Sequence, residues 1–400
     1  MRIALVSNEY PPGIKRGIGV FTRLLASGLV WHAGHDVLVF TCRQASGRSA
    51  TGLQAVEDEV EGVSVVRLDF DPPSWMRWRP GVYWSRWRFK RLLAEHHRSR
   101  PFDVVECMDA AGWLPWGGLP GVPTVVRCHG AMYFFDEALG LTTGDPMVSR
   151  LERSTIARAD HVVGVSKFIL DGQLKLLRRR WRGRSSVIHN AVDTGFFRPM
   201  PGAGVRPSPR SVVFTGALHE RKGVFVLADA AAAVLRRHPD VVFRLHGPDY
   251  HQPTGGQTTA QRILERVPAE FRDRFQILPP VERTENGLLR VLQEAAVCCF
   301  PSRMEPFGLT VVEAMACGRP VVFSNEGSGP ELIEDGVSGL LCDSRDPGDV
   351  ADKLNRLLDE PAVAETIGIG ARRRVEQCFS QKHLVEASAE LYEGLARGRE

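Results

Sequence analysis

The chain has 400 residues, 43% of them apolar and 24% charged, with a formal net charge of +4. That length exceeds one ordinary core and makes two domains the default, and the net charge, though unevenly distributed, is too small to imply nucleic acid as a partner. No apolar run is long enough to span a bilayer, and Ile3-Ala4-Leu5-Val6 is too short for a signal-peptide core. The eight cysteines show no C-x-x-C pair and several sit inside apolar runs, as core thiols of a reducing compartment do, so a cytoplasmic protein is expected.

Residues 2–7 read as a buried strand, residues 20–31 as an amphipathic helix and residues 37–40 as a second strand, which together make one βαβ unit. The intervening loop, Asn8 to Gly19, contains Gly17-Ile18-Gly19. It has no G-x-G-x-x-G, and no acidic residue ends the second strand, so a dinucleotide-dependent oxidoreductase is disfavoured. Gly17 fits either a backbone N–H offered to an anionic ligand or a plain flexible turn. A strand over 63–68 runs into Asp69-Phe70-Asp71-Pro72-Pro73, where an Asp-x-Asp metal site competes with an ordinary strand exit, and the two prolines favour the exit.

Between Trp75 and Arg100 lie Trp75, Trp78, Trp84, Trp87 and eight arginines or lysines, with Glu95 the only acid. Read as a helix from Val82, this segment puts Val82, Phe89, Leu92 and Leu93 on its apolar face. Trp84 and Trp87 then fall among Arg86, Arg88, Lys90 and Arg91 on the other. Tryptophan mixed with cations suits an anionic membrane surface, an acidic acceptor, or simply a solvated face; the basic run Arg178–Arg182 could extend it. Strands over 102–106 and 122–127 follow. The second delivers His129-Gly130 to a strand's C-terminal end, where open α/β sheets bind ligands, and the histidine fits either a hydrogen bond to a substrate hydroxyl or a loop residue satisfied by a backbone carbonyl. Strands over 161–166 and 186–190 complete the first sheet.

A Pro/Gly-rich stretch from Phe197 to Pro209 reads as a linker. Beyond it a new sheet begins at 211–216. Arg221-Lys222-Gly223 opens a helix over 224–237, where two cations oppose the dipole, are poor choices for stability alone and make sense facing a diphosphate. Strands over 241–246, 275–278 and 295–300 follow, the first ending at Gly247. After the third comes Glu305-Pro306-Phe307-Gly308-Leu309-Thr310, leading into a helix over 309–317 that carries Glu313. This strand, loop and helix N-terminus fit either backbone N–H groups offered to a phosphate and flanked by two carboxylates suited to sugar hydroxyls, or an ordinary α/β strand–loop–helix with surface glutamates. Strands at 321–325 and 339–341, a helix over 347–358 and a final helix over 381–397 end the chain.

With these residues in view, the sequence resembles the retaining glycosyltransferases of family 4 (glycosyl transferases group 1). The resemblance covers nearly the whole chain. Its E-x7-E motif is matched by Glu305 and Glu313, followed by Ala314 to Val322, and its phosphate-turn Lys-Gly by Lys222-Gly223. Gly17 matches the second glycine of its N-terminal loop and His129 its active-site histidine. The resemblance implies an α/β protein of the GT-B fold, with two Rossmann-like doubly wound domains facing a central cleft. An acceptor-side domain would cover 1–197, joined by helix 381–397 packing back on it. A linker would cover 198–210 and a donor-binding domain 211–380.

It implies transfer of a hexosyl-type sugar from a UDP- or GDP-linked donor to an acceptor hydroxyl on a glycan, lipid-linked or small molecule. Anomeric configuration would be retained, with no metal ion and no cofactor. Lys222 would neutralise the diphosphate, with Arg221 beside it. Gly247, Phe307, Gly308, Leu309 and Thr310 would bind the donor, Glu313 the ribose and Glu305 the sugar. Gly17 N–H would touch the diphosphate and His129 would orient a sugar hydroxyl. Ala217 stands where arginine is common, Arg16 where the first loop glycine is, and Ala191 where glycine is common. Competing classes are an epimerase or phosphorylase on the same architecture and a non-catalytic nucleotide-sugar-binding subunit. The expected place is the cytoplasm, at the inner face of the membrane if the tryptophan–arginine face binds lipid. Nucleic acid is not expected.

Overall fold

The computed structural model describes residues 1–12, 17–43, 55–69, 79–140, 145–177, 183–200, 210–249 and 256–398. The chain divides into two compact units, residues 1–190 with 381–400, and residues 191–380. The first unit starts with β1 (Arg2–Ser7), whose last five residues are buried because helices cover both faces of its sheet. Helix α1 (Gly17–Trp31) buries Phe21, Leu25 and Leu29, one per helical turn. It begins earlier than the glycines suggested: Gly17-Ile18-Gly19 forms its first turn, and the Thr22 hydroxyl donates to the Ile18 carbonyl at 2.9 Å.

β2 (Asp36–Arg43) pairs parallel with β1, and β4 (Val63–Asp69) parallel with β2. Between them in sequence lies β3 (Ala55–Val60), an exposed antiparallel edge strand on β4 that the apolar pattern does not announce. Helix α2 (Arg79–Ser99) precedes β5 (Val104–Met108) and β6 (Thr124–Cys128). The unit continues with α3 (Met132–Leu139), α4 (Pro146–Ala157), β7 (His161–Gly164), α5 (Lys167–Leu177) and β8 (Arg184–Val187). Among the described residues the sheet order is β3-β4-β2-β1-β5-β6-β7-β8.

The C-terminal helix, Gln381–Arg397, belongs to this unit and lies on α1. Its Gln381 Nε2 donates to the Leu24 carbonyl at 2.8 Å. Further along, Ser388 and Tyr392 join a buried ion pair. Arg127 Nε meets Glu106 Oε1 at 2.8 Å, the Ser388 hydroxyl sits 3.1 Å from Arg127 Nη2, and the Tyr392 hydroxyl donates to Glu106 Oε2 at 2.7 Å. Burial works against the Arg127 charge, and Glu106 outweighs it.

The second unit gathers in residues 191–200 through the Val192 N–H on the Phe379 carbonyl (2.9 Å) and Arg372 Nη1 on the Phe197 carbonyl (2.7 Å). It then runs through β9 (Arg210–Thr215), a 3-10 turn at Glu220–Lys222, α6 (Val224–Arg237), β10 (Val241–His246), α7 (Thr259–Arg266) and β11 (Phe275–Leu278). The last turn of α6 carries Arg236 and Arg237, which complement its dipole, and α7 starts on a Thr258/Gln261 capping box. Next come α8 (Arg290–Glu294), β12 (Val297–Phe300), α9 (Leu309–Ala316), β13 (Val321–Ser324), α10 (Gly329–Leu332) and β14 (Leu340–Cys342). Helices α11 (Pro347–Asp359) and α12 (Pro361–Cys378) end the unit. All strand pairs are parallel, in the order β11-β10-β9-β12-β13-β14.

Candidate functional site

In the second unit β9 and β12 are neighbours in space although two strands separate them in sequence, so the winding of the sheet reverses between them. In open α/β sheets that reversal leaves a crevice at the strands' C-terminal ends. The loops leaving β9 and β12 are stitched together there. The Arg303 N–H donates to the Arg221 carbonyl at 2.9 Å, and Arg221 Nη1 donates to the Met304 carbonyl at 2.8 Å. The Lys222 ammonium and Glu305 carboxylate form an ion pair, both side chains largely buried. Arg221 therefore clamps the two loops, while Lys222 and Glu305 meet directly.

Beyond Glu305, Phe307 is buried against the edge of Phe379, with ring centres 5.8 Å apart, and its carbonyl accepts from the Ser328 hydroxyl at 2.7 Å. Gly308 caps α9 in a left-handed conformation (φ 99°) that few other residues adopt. Its carbonyl accepts from the Val311 and Val312 N–H groups. Leu309 and Thr310 form the first turn, whose N–H groups have no partner within a helix. One turn on, Glu313 is 1% exposed and paired with Arg283 from the loop after β11. Burial pushes the Glu313 carboxyl up, and the neighbouring Arg283 charge acts against that.

Gly247 follows β10. A Cβ there would fall 1.7 Å from the Gly216 carbonyl oxygen, so only glycine lets the loops after β9 and β10 touch. Its N–H donates to the Leu278 carbonyl at 3.2 Å. Ala217 lies in the same β9 loop, one residue beyond Gly216.

The first unit reverses in the same way between β1 and β5. Gly17 is exposed at the start of α1. Asp109, directly after β5, is fully buried and takes the N–H groups of Ala110 (2.9 Å), His129 (2.9 Å) and Gly130 (3.1 Å) and the Gln173 amide (2.6 Å). Glu152 on α4 takes the N–H groups of Ala111 (3.0 Å) and Tyr133 (3.3 Å). Two buried carboxylates thus hold the loops after β5 and β6. The His129 ring packs on Phe21 of α1 at 4.6 Å. Burial, and then the charge of Arg127, lower its pKa to about 3, so the imidazole is neutral at ordinary pH.

The family described as "Glycosyl transferases group 1" matches residues 209–360, and "Glycosyltransferase Family 4" matches residues 15–196. The chain is 27% identical over 417 residues to the glycogen synthase of Mycobacterium tuberculosis, covering 100% of this chain and 96% of that protein. It is 32% identical over 311 residues to the D-inositol 3-phosphate glycosyltransferase of Mycolicibacterium smegmatis, covering 73% and 67%. Among solved structures it is similar to sucrose-phosphate synthase from Thermosynechococcus elongatus, with a TM-score of 0.77 at 22% identity over 99% of both chains. It is also similar to Anabaena HepE in complex with UDP and glucose, with a TM-score of 0.70 at 18% identity over 98% and 100%. The chain belongs to glycosyltransferase family 4, and its fold is GT-B.

In this glycosyltransferase Lys222, Glu305, Gly308, Leu309 and Thr310 gather at the reversal of the second sheet, with Glu313 behind them. Gly17 and His129 lie at the reversal of the first. The tryptophan–arginine face needs correction. Arg86 is only 9% exposed; it lies over the Trp113 ring at 4.4 Å and donates to the Ala111 carbonyl at 2.7 Å. The helical period explains this, because residue 86 falls one turn from both Val82 and Phe89, on the buried stripe.

Trp84 and Arg88 are half-buried, Lys90 donates to the Trp116 carbonyl at 3.2 Å, and the exposed Arg91 pairs with Glu95 at 2.9 Å and lies over the ring of the exposed Trp87 at 5.6 Å. Trp75, Trp78, Asp71, Arg16 and Arg178–Arg182 lie outside the described residues, as does the Asp69 side chain. Among the described residues no three His, Cys, Asp or Glu side chains form a metal set, and no helix is long and apolar enough to cross a membrane.

The reading of the sequence missed Arg283, Asp109 and Glu152. A signal existed for Asp109, a lone carboxylate directly after a buried strand, in the same place as His129. Arg283 sits in a polar loop and offered none.

Proposed function

We propose that this enzyme transfers a hexosyl-type sugar from a UDP- or GDP-linked donor to an acceptor hydroxyl, with retention of anomeric configuration and without a metal ion. The observation that carries the reading is the Lys222–Glu305 ion pair at the reversal of the second sheet, directly before the first turn of α9. A pre-placed cation beside free helix N–H groups suits a leaving nucleoside diphosphate, whose developing charge is what the reaction must stabilise. Lys222 would leave Glu305 for the diphosphate, freeing that carboxylate to accept a hydroxyl of the donor sugar. Glu313 would take the ribose hydroxyls, and the Gly17 N–H would add a phosphate contact. His129, kept neutral, would hydrogen-bond a sugar hydroxyl rather than act as an acid. The acceptor hydroxyl attacks from the face the diphosphate leaves, and its proton departs toward that leaving group.

Relatives are named as glycogen synthase, alpha-maltose-1-phosphate synthase and D-inositol 3-phosphate glycosyltransferase, so the acceptor panel should include glucans, sugar phosphates and inositol phosphate. Purified protein is incubated with UDP-glucose, ADP-glucose, UDP-N-acetylglucosamine and GDP-mannose in turn, and products are read by mass and by anomeric proton coupling. The expected product keeps the donor's anomeric configuration. Lys222→Ala is expected to lower kcat/KM by about 100-fold or more. An inverted product refutes retention, dependence on inorganic phosphate points to a phosphorylase, and wild-type rates in Lys222→Ala refute the site. The exposed aromatics around Trp87 further support peripheral contact with an anionic membrane face from the cytoplasm.

A further inference from the structure

Glu313 is the most deeply buried acid of the second unit's site, and its two oxygens differ. One accepts the Arg283 guanidinium, while Oε2 is buried with no hydrogen-bond partner among the described residues. Arg283 covers the carboxylate from the solvent side, with about a third of its side chain exposed (35%) and its guanidinium 5.6 Å from the Phe197 ring. The loop that presents it is closed on itself by the Leu288 N–H on the Glu282 carbonyl (2.8 Å) and the Gly287 N–H on the Thr284 carbonyl (3.2 Å).

Among the described residues Arg283 is the charge that acts on Glu313. On α8, Arg290 and Glu294 pair with each other at 2.7 Å. From α12, Arg372 donates to the Ala316 and Phe197 carbonyls, and Arg198 pairs with Glu285 at 3.1 Å. Arg319, after α9, has its Nη1 on the Ala295 carbonyl at 3.2 Å. The thiols of Cys317, directly after α9, and of Cys298 and Cys299 on β12 are pushed up by burial and stay neutral, and β13 carries no titratable side chain.

We propose that Arg283 is a positioning residue for the transfer reaction: it keeps the buried Glu313 carboxylate ionised and aimed, so that the ribose of the donor meets an anion. This rests on the donor-site reading of Glu313. A carboxylate in a dry site without a countercharge takes up a proton, and a protonated acid presents an O–H where the ribose hydroxyls need an acceptor. With Arg283 on one oxygen, the second stays open as an ionised acceptor once the arginine shifts enough to admit the ligand. Loss of Arg283 is therefore a loss that alkaline pH repairs, which a purely structural role would not show.

The test is isothermal titration of UDP and GDP into the full-length wild type, Arg283→Gln, Arg283→Lys and Glu313→Gln between about pH 6 and pH 9. For the better-bound nucleotide, Arg283→Gln is expected to bind about 10-fold more weakly at neutral pH and to regain about that factor toward pH 9. Arg283→Lys is expected to keep the wild-type profile within about 3-fold, and Glu313→Gln to be weak at every pH. An Arg283→Gln affinity that is unchanged, or lowered equally at all pH values, overturns the proposal but not the site. Should that variant not fold, a wild-type profile in Arg283→Lys supports the proposal and a shifted one overturns it. Wild-type binding of neither nucleotide, or undiminished binding by Glu313→Gln, overturns the donor-site reading itself.

Discussion

Glu152 offers a stability measurement that isolates one buried group. It is 2% exposed on α4, and its carboxylate oxygens accept the Ala111 and Tyr133 N–H groups at 3.0 and 3.3 Å. Burial, helped by the charge of Asp109 and opposed by those N–H groups, raises its pKa from 4.5 to about 7. The folded protein then keeps a proton that the unfolded chain releases between those values. The group's contribution to stability is full below about pH 4.5 and is lost as pH rises through 7. At 1.36 kcal/mol per unit the loss reaches about 3 kcal/mol.

Glu152→Gln cannot ionise, so the difference in stability between variant and wild type should grow by about 1.4 kcal/mol per pH unit from pH 5 to 7 and then level off. A constant offset of about 1–3 kcal/mol against the variant, from the acceptor lost toward the Tyr133 N–H, does not affect that slope. The assay is urea unfolding followed by tryptophan fluorescence. All eight tryptophans fall within residues 31–181, so the signal reports the first unit alone. Taking the difference removes the buried histidines, which titrate equally in both proteins, and leaves Glu152 together with the Asp109 carboxyl coupled to it. A difference curve that is flat between pH 5 and 7 would falsify the assigned protonation of Glu152.

Three further measurements follow from the same contacts. Tyr392→Phe removes the donor to Glu106 Oε2 and should cost the first unit about 1.5–3 kcal/mol by the same fluorescence assay; a loss below 0.5 would show the network to be slack. Gly247→Ala drives a Cβ against the Gly216 carbonyl and should destabilise the second unit by about 1–3 kcal/mol, read by circular dichroism; wild-type stability would mean that the loops after β9 and β10 separate freely. Flotation with phosphatidylserine vesicles tests the surface around Trp87, which is 47% exposed, and the neighbouring Trp116, 43% exposed. Trp87→Ala with Trp116→Ala should at least halve the bound fraction, whereas equal flotation of variant and wild type removes the membrane reading.

The physics of each element decided what could be read from the chain. Strands β9 to β12 and helix α9 are short apolar runs bounded by glycine or proline, and burial on both faces imposes that pattern directly. The acid-rich β3 is held through backbone pairing with β4 and buries almost nothing, so no apolar period marks it. Helix α12 was hidden by its own packing. Gly368 and Gly370 lower its helical signal, yet a Cβ at 368 would lie 2.3 Å from the Gly318 carbonyl oxygen.

The same reasoning separates the site residues. Lys222 and Glu305 stand out because each follows a buried strand and opens a helix, where a charge must have an anion, a cation or a ligand to face. Asp109 and Glu152 satisfy their charge mainly with backbone N–H groups, which every residue type supplies, so neighbouring sequence carries no trace of the partner. Arg283 finds Glu313 at a sequence separation of 30, through a fold that must exist before the pair does. A pattern of residue types therefore locates the groups that a ligand must reach, while the groups that hold them ready become visible only when the loops have closed.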